Sequence, residues 1–587
     1  MNSAIKKSLD CISKSNFADA LYLLKKVLRK NSKDIQALNV LGQVQIKLGE
    51  YKNAVSSLEK SVAINAYDFN ILAKLGYAYE KTADFDKAIN SYKQSLALNP
   101  EQPHVYDCLG RTLAKDKQNY EAILYLMKAL EAKPHDKELH LNIGFASKDT
   151  GLYDITIKHY QAANELDPTD ERSLSCLLFN SHKDPARGFA DFQKLAIEYS
   201  QQVLTQVEDN YTGAVQKRLD PTKTKLRIGF VSADLHYHPV SYYLYKVLAG
   251  MNQDDFEFVL YHNNQYQDDL THDYKSLAHK YETIDQLSDE AAAKMIFEDE
   301  IDLLFDMSGF TKGHRLGIFK YKPAPVQVSH IGYFGTLGMK EMDFVIADEH
   351  LVKEDEEQYF TESVYKMASC YVHCDSYDLP DAVSQAPCLT NNYVSFASMN
   401  TSHKISSRVI AVWAEILKRC PNTKLVIDNR FVESMSGKFF IEKRFREHGV
   451  MPDRLVFRSS IERDDFIQTY NEVDIALDPF PCGGGTSTIE SLMMGVPVVT
   501  INGDRWLGRQ STGFLINAGH GELIATDVED YIKKAVDLAN DQARIQDYRM
   551  SLKQDLMSSE MNLASYVLRF EKAIRDMWLL KSQEVQR

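Results

Sequence analysis

From residue 4 to about residue 170, apolar positions recur three and four apart, as in ILAKLGYAYEKTADFDKAINSYKQSLALNP (71–100). That spacing puts one apolar stripe on an α-helix. Short polar turns separate the stripes, so the segment predicts paired helices. Beyond residue 223 the pattern changes to short β-rich runs separated by helical stretches: LRIGFVSAD (226–234), FEFVLYHNN, IDLLFDMSG, PVQVSHIG and FVIADEH. A second set starts at NYVSFASMN (392–400) and continues with KLVIDN, LVFRSS, VDIALDPF and VPVVTIN. Strands alternating with helices predict parallel, doubly wound sheets. Two such lobes of about five strands each leave a cleft at the carboxyl ends of their strands, where ligands bind in this architecture.

The expected division is a helical array over 1–170, a helical linker over 171–222 with one stretch FADFQKLAIEYSQQVL, lobes over 223–385 and 386–540, and closing helices over 541–587. The helices between about 527 and 578 are expected to pack back across the cleft.

The array repeats itself. Gly42, Gly76, Gly110 and Gly144 are each 34 residues apart, and Ala54, Ala88, Ala122 and Thr156 follow twelve residues after each. These are small residues where two helices must approach closely, and Ala20 extends the series backwards. Pro100, Pro134 and Pro168 share the period and fall where a helix should stop. The period and positions resemble the tetratricopeptide repeat, in about five units with a degenerate first. Such stacks coil into a superhelix whose concave face can grip an extended peptide, although a plain scaffold explains the array equally well.

The net charge of −14 argues against a nucleic-acid partner. No run of about 18 uncharged apolar residues occurs, so no membrane partner is expected either. The N-terminal residues lack the apolar core of a secretory signal. Eight cysteines scattered through the chain fit reduced thiols and a cytoplasmic protein. Cys370 and Cys374, with His373 between them, have no second pair at zinc-like spacing.

Candidate chemistry centres on DPFPCGGGTSTIESLMM (478–494), read as strand, glycine loop and helix start. Glycines admit a phosphate to bare backbone, and a helix N-terminus offers unpaired N–H groups. Thr486, Ser487 and Thr488 add hydroxyls beside Gly485. The loop lacks the P-loop pattern and G-x-G-x-x-G. Glu490, one turn on, is placed to reach a ribose hydroxyl, or is simply a carboxylate favoured in a first helical turn. In SMNTSHKISSRVIAVWAEILKRC, Lys404 is expected at a helix start, where a cation is disfavoured; a diphosphate held between it and the Thr486 helix would compensate. The alternative is a solvated lysine. His238, directly before Pro239, is expected at an N-cap, neutral near pH 7 and able to take a proton, with His236 as competitor.

These motifs, with MSGFTKG, KPAPVQVSHIGYFGTLGMKEMDFVIAD and VWAEILKRCPNTKL, resemble the tetratricopeptide-repeat protein O-glycosyltransferases, the family of O-linked N-acetylglucosamine transferase and plant SPINDLY. The GGGTSTIESLMMGVP segment and RMSLKQDLM look closer to SPINDLY.

The resemblance implies a repeat α-superhelix followed by a GT-B region of two Rossmann-like α/β domains, acting as an inverting, metal-independent glycosyltransferase. The implied partners are a nucleotide-sugar donor, UDP-N-acetylglucosamine favoured over GDP-fucose, and protein or peptide acceptors bound by the repeats. No cofactor or metal is implied. By the same resemblance His238 and Lys404 are the catalytic pair. Asn400, Thr401, Gly485, Thr486, Ser487 and Thr488 surround the phosphates, Glu490 binds the ribose, and Ile461, Arg463 and Phe466 lie near the base and ribose. The chain departs from the animal enzyme at Gly485, Phe466 and Thr469, where that enzyme has His, His and Arg, which leaves the base open between UDP and GDP. GDP-fucose chemistry, glucose transfer to Asn, and a non-catalytic nucleotide-binding adaptor are the competing expectations.

Overall fold

The computed structural model describes residues 3–207, 210–375, 379–380, 384–460 and 462–586. It divides into two compact units, Met1–Thr150 with Ser434–Phe440, and Gly151–Glu433 with Ile441–Arg587.

The first unit is built from helical hairpins: Ser3–Ser13 with Phe17–Lys30, Ile35–Lys47 with Tyr51–Ile64, Phe69–Lys81 with Phe85–Leu98, and Pro103–Lys115 with Asn119–Ala132, followed by Lys137–Ser147. Local chemistry starts and stops these helices. The Asp34 carboxylate accepts from Ala37 N–H at 3.0 Å and Asp136 from Leu139 N–H at 3.2 Å, satisfying amides that an open helix end leaves bare. Asn31, Asn65 and Asn99 leave the helix in extended conformation at the other end. The 34-residue glycines do what their spacing predicts. A Cβ on Gly42 would lie 2.6 Å from Leu58, on Gly76 2.8 Å from Tyr92, and on Gly110 2.5 Å from Leu126. Ala54, Ala88 and Ala122 are fully buried beside them.

The repeat pattern runs the array to residue 170, whereas the helix Tyr153–Leu166 groups with the second unit. The segment 171–222 holds two full helices, Glu171–Ser181 and Phe189–Gln202, and a short one, Thr212–Gln216, rather than the single stretch expected.

The second unit contains two parallel sheets. In the first lobe the strands are β1 (Leu226–Ser232), β2 (Phe256–His262), β3 (Lys280–Thr283), β4 (Leu303–Asp306), β5 (Val326–Ser329), β6 (Phe344–Asp348) and β7 (Ser363–Met367), in the order β3-β2-β1-β4-β5-β6-β7. The central register sets Ile228 opposite Phe258 on one side and Leu303 on the other. The second lobe has β8 (Val394–Ser398), β9 (Thr423–Asp428), β10 (Leu455–Arg458), β11 (Ile475–Leu477), β12 (Val498–Ile501) and β13 (Ile524–Ala525), in the order β10-β9-β8-β11-β12-β13.

Strands β3, β7 and β13 were not expected. All three are edge strands without a buried apolar run. The central strands are buried on both faces, which is why they read as continuous hydrophobic runs.

The closing helices divide between the lobes. Val528–Ala539 and Gln542–Ser558 stay with the second lobe, while Leu563–Gln586 returns to the first and buries Tyr566, Phe570, Ile574 and Trp578 in its core with Phe230, Phe258 and Phe305. No helix among the described residues is long and apolar enough to cross a membrane.

Candidate functional site

The loop Asp478–Gly485 joins β11 to the helix Thr486–Met493. Asp478, at the strand's end, folds this loop. Its Oδ1 accepts from Gly484 N–H at 2.6 Å and its Oδ2 from the Thr500 hydroxyl at 2.7 Å. The tightness explains the glycines: a Cβ on Gly484 would lie 2.3 Å from Thr488 Oγ1, and one on Gly483 2.7 Å from Asp478 Oδ2. A Cβ on Gly485 would meet nothing closer than 3.5 Å, so that position tolerates a side chain. Gly485 caps the helix through its carbonyl, which accepts from Thr488 N–H at 3.0 Å. The N–H groups of Thr486 and Ser487 lie ahead of this first helical bond.

Lys404 comes to this loop from the end of β8. Its Nζ donates to the Gly483 carbonyl at 2.6 Å and to Asn400 Oδ1 at 3.4 Å, and Asn400 Oδ1 also accepts from the Ser487 hydroxyl at 3.1 Å. Asn400, Lys404, Gly483 and Ser487 therefore form one hydrogen-bonded group. Burial pushes the Lys404 ammonium below its ordinary pKa, and nearby Asp478 opposes the shift. Burial raises Asp478 in turn.

Lys404 is not at a helix start as expected. It ends the short turn Ser402–Lys404, and the next helix, Ser407–Arg419, begins three residues later with the Ser406 hydroxyl accepting from Val409 N–H at 3.3 Å. Desolvation, not that helix's dipole, disfavours the charge.

Glu490 is buried and its Oε1 pairs with Arg463 Nη1 at 2.6 Å; its Oε2 accepts from Tyr470 OH at 3.4 Å. Burial raises the Glu490 carboxyl while Arg463 opposes it. The Arg463 guanidinium stands 5.6 Å over the ring of Tyr242 from the first lobe. Next to Tyr242, Tyr243 donates to Thr486 Oγ1 at 3.3 Å, so the helix Pro239–Gly250 touches both ends of the site.

That helix is capped by His238, which has extended backbone and whose Nδ1 accepts from Val240 N–H at 3.3 Å. The Asp234 carboxylate is 3.7 Å from the same nitrogen, and the His236 ring is 5.9 Å away. Burial lowers the His238 pKa, Asp234 opposes this and His236 adds to it. The ring is neutral near pH 7 on that balance.

The other expected residues are distributed unequally. Thr488 is turned inward: it is 1% exposed and its hydroxyl pairs with Ser511 at 2.8 Å, because the third residue of this helix faces the lobe core. Thr401 is exposed; its carbonyl accepts from Lys404 N–H at 3.0 Å, but its hydroxyl lies 3.3 Å from His403 Nε2 and outside the Lys404 side-chain group. Phe466 packs edge-on against Tyr470 at 5.9 Å. Ile461 lies outside the described residues. Thr469 is fully buried with its hydroxyl on Asp428 Oδ2 at 2.9 Å. Sequence reasoning missed Asp478, Tyr243 and Tyr470. Asp478 left a trace, an acid ending a strand directly before a glycine loop; the two tyrosines left none.

Comparison with known proteins agrees with this architecture. Tetratricopeptide-repeat models match residues 35–68, 69–102 and 104–136. SPINDLY of Arabidopsis thaliana, named a probable UDP-N-acetylglucosamine–peptide N-acetylglucosaminyltransferase, is 32% identical over 368 residues, 61% of this chain and 40% of that protein. SEC of the same plant, named likewise, is 28% identical over 375 residues, 61% of this chain and 37% of that protein. The chain thus spans about two-fifths of the length of these curated relatives.

A solved lysine-to-methionine variant of the Thermobaculum terrenum O-GlcNAc transferase superposes with a TM-score of 0.73 at 27% identity, covering 88% of this chain and 98% of that one. The model of glycosyl transferase family 41 matches residues 190–385 and 382–569, both sheets and the loops that carry Lys404, Thr486 and Glu490, and the chain belongs to that family.

Proposed function

We propose that the chain is an inverting, metal-independent protein O-glycosyltransferase that moves N-acetylglucosamine from UDP-N-acetylglucosamine to Ser or Thr of proteins held by its repeats. The observation that carries this reading is the joining of Lys404, Asn400 and Ser487 to the glycine loop at the start of the Thr486 helix. A partly buried ammonium without a carboxylate in hydrogen-bond contact, beside unpaired helix N–H groups, suits a pyrophosphate. Breaking the anomeric bond leaves negative charge on the β-phosphate, and fixed donors aimed there stabilise the transition state more than the ground state.

The acceptor hydroxyl attacks from the opposite face. Its proton passes to His238, to water or to a donor phosphate oxygen. With Val240 N–H donating to Nδ1, the neutral ring carries its proton on Nε2. It is a base at Nε2 only as the other tautomer, in which its single proton sits on Nδ1 and faces Asp234, 3.7 Å away, in place of the Val240 N–H bond. Glu490, its carboxylate held by Arg463 at 2.6 Å, is the acceptor assigned to a ribose hydroxyl.

A second reading keeps the chemistry and takes GDP-fucose. It is favoured by the burial of Thr469 on Asp428, which presents no cation where the animal enzyme of this family has arginine. Incubation of the full chain with candidate acceptors and each donor, read by mass spectrometry, tests both. An N-acetylhexosamine increment on Ser or Thr supports the first, a deoxyhexose increment the second, and nucleotide binding without turnover of either donor contradicts both.

A further inference from the structure

The segment 171–222 reads in sequence as a connection. In the structure, the residue that ends its first helix touches both lobes. His182 caps the helix Glu171–Ser181 and is 2% exposed. Its Nε2 is 2.7 Å from the hydroxyl of Tyr333, in the loop that follows β5 of the first lobe. Its carbonyl accepts from the Cys482 thiol at 3.6 Å and from Arg505 Nη1 at 3.3 Å, both in the second lobe. Phe192 holds the imidazole at 4.0 Å between ring centres, and a Cβ on Gly335 would already lie 3.1 Å from it.

Cys482 directly precedes Gly483, whose carbonyl receives Lys404 Nζ. One file of contacts therefore runs Tyr333, His182, Cys482, Gly483, Lys404. Upstream of the segment 171–222, the turn residue Gly151 packs against the backbone that follows Lys404: it has φ +72°, and a Cβ there would lie 2.3 Å from the carbonyl oxygen of Ile405. Burial, with Arg505 and Lys183 adding to it, lowers the His182 pKa to about 3. The ring is thus a neutral hydrogen-bonding strut near pH 7.

We propose that His182 is a positioning residue for the diphosphate cradle, fixing the glycine loop of the second lobe against the Tyr333 loop of the first. This rests on the nucleotide-diphosphate reading given above. It adds that the helical segment 151–202 forms part of the donor site's frame, and that donor affinity depends on a side chain that never touches the donor. Small displacements of positioned groups cost up to about 10²-fold in rate, so the effect is measurable.

The test uses full-length His182→Phe, His182→Gln and Tyr333→Phe proteins, with UDP and GDP titrated calorimetrically well below each variant's melting temperature and donor hydrolysis measured in parallel. His182→Phe and Tyr333→Phe are expected to raise the nucleotide Kd and the donor KM about ten-fold. His182→Gln, whose amide can still reach Tyr333 OH, is expected to recover most of that loss. A lower melting temperature with Kd, KM and kcat unchanged in both His182→Phe and Tyr333→Phe would overturn the proposal while leaving the nucleotide reading intact. Absence of UDP and GDP binding by the wild-type chain would overturn that reading, and this inference with it.

Discussion

Replacing Lys404 with methionine removes the cation and keeps most of the side-chain volume. Its consequences separate a catalytic from a structural lysine. On the stability side two effects oppose each other. The Gly483 carbonyl loses its 2.6 Å donor, which leaves a partly buried acceptor short of a partner at about 1–3 kcal/mol. Against that, the pKa of Lys404 is depressed in the fold by burial. A lysine whose folded pKa lies below its unfolded value destabilises the fold while it is charged; that penalty is complete below the folded value and shrinks as pH rises from there to the unfolded value. Methionine removes the penalty at every pH. The net change in stability is expected within about 2 kcal/mol, a shift of only a few degrees in melting temperature for a protein of this size.

On the catalytic side, one preorganised donor aimed at developing negative charge is worth about 10²–10³ in kcat. The assay is donor turnover with acceptor protein, alongside thermal unfolding of the same preparation. A variant that melts within a few degrees of the wild type and turns over at wild-type kcat would refute the placement of Lys404 on the leaving group.

His238→Ala is expected to lower kcat by about 10²-fold, the usual contribution of a positioned acid or base; a wild-type kcat would move the proton to water or phosphate. Because burial holds the His238 pKa below its ordinary value, kcat/KM should fall only as pH drops through a value below about 6.5, and Asp234→Asn should reduce activity by removing the negative charge that favours a proton on Nδ1. Gly484→Ala puts a Cβ 2.3 Å from Thr488 Oγ1 and should abolish nucleotide binding in titrations while the repeat helices keep their circular-dichroism signal. Gly110→Val drives a branched side chain into Leu126, 2.5 Å from the new Cβ, and should destabilise the repeat unit by about 1–3 kcal/mol in denaturant melts without changing donor hydrolysis.

The repeats were legible because their constraint is local and periodic. A glycine at 34-residue spacing leaves space for a residue sixteen positions on, and the structure fills it with Leu58, Tyr92 and Leu126. Central strands such as Leu226–Ser232 and Val394–Ser398 were legible because burial on both faces demands an unbroken apolar run. The edge strand Lys280–Thr283 had no such demand and was missed.

At the site, the glycine loop and its helix were visible as bare backbone before a helix start. The orientation of each hydroxyl was not. Which of Thr486, Ser487 and Thr488 faces inward depends on the helix's rotation against Ser511 and Asn400. Lys404 was identified for a reason the structure replaces, since burial rather than a helix dipole disfavours its charge. Tyr243 and His182 act across chain separations of 243 and 300 residues, to Thr486 and Cys482, and no local pattern records contacts of that kind.

Whether Lys404 and the start of the Thr486 helix hold a pyrophosphate is decided by calorimetric titration of UDP and of uridine into the wild-type and Lys404→Met proteins. UDP is expected to bind the wild type far more tightly than uridine does, and most of this difference is expected to vanish in Lys404→Met. Equal affinities for UDP and uridine in the wild type, or an undiminished UDP affinity in Lys404→Met, would contradict it.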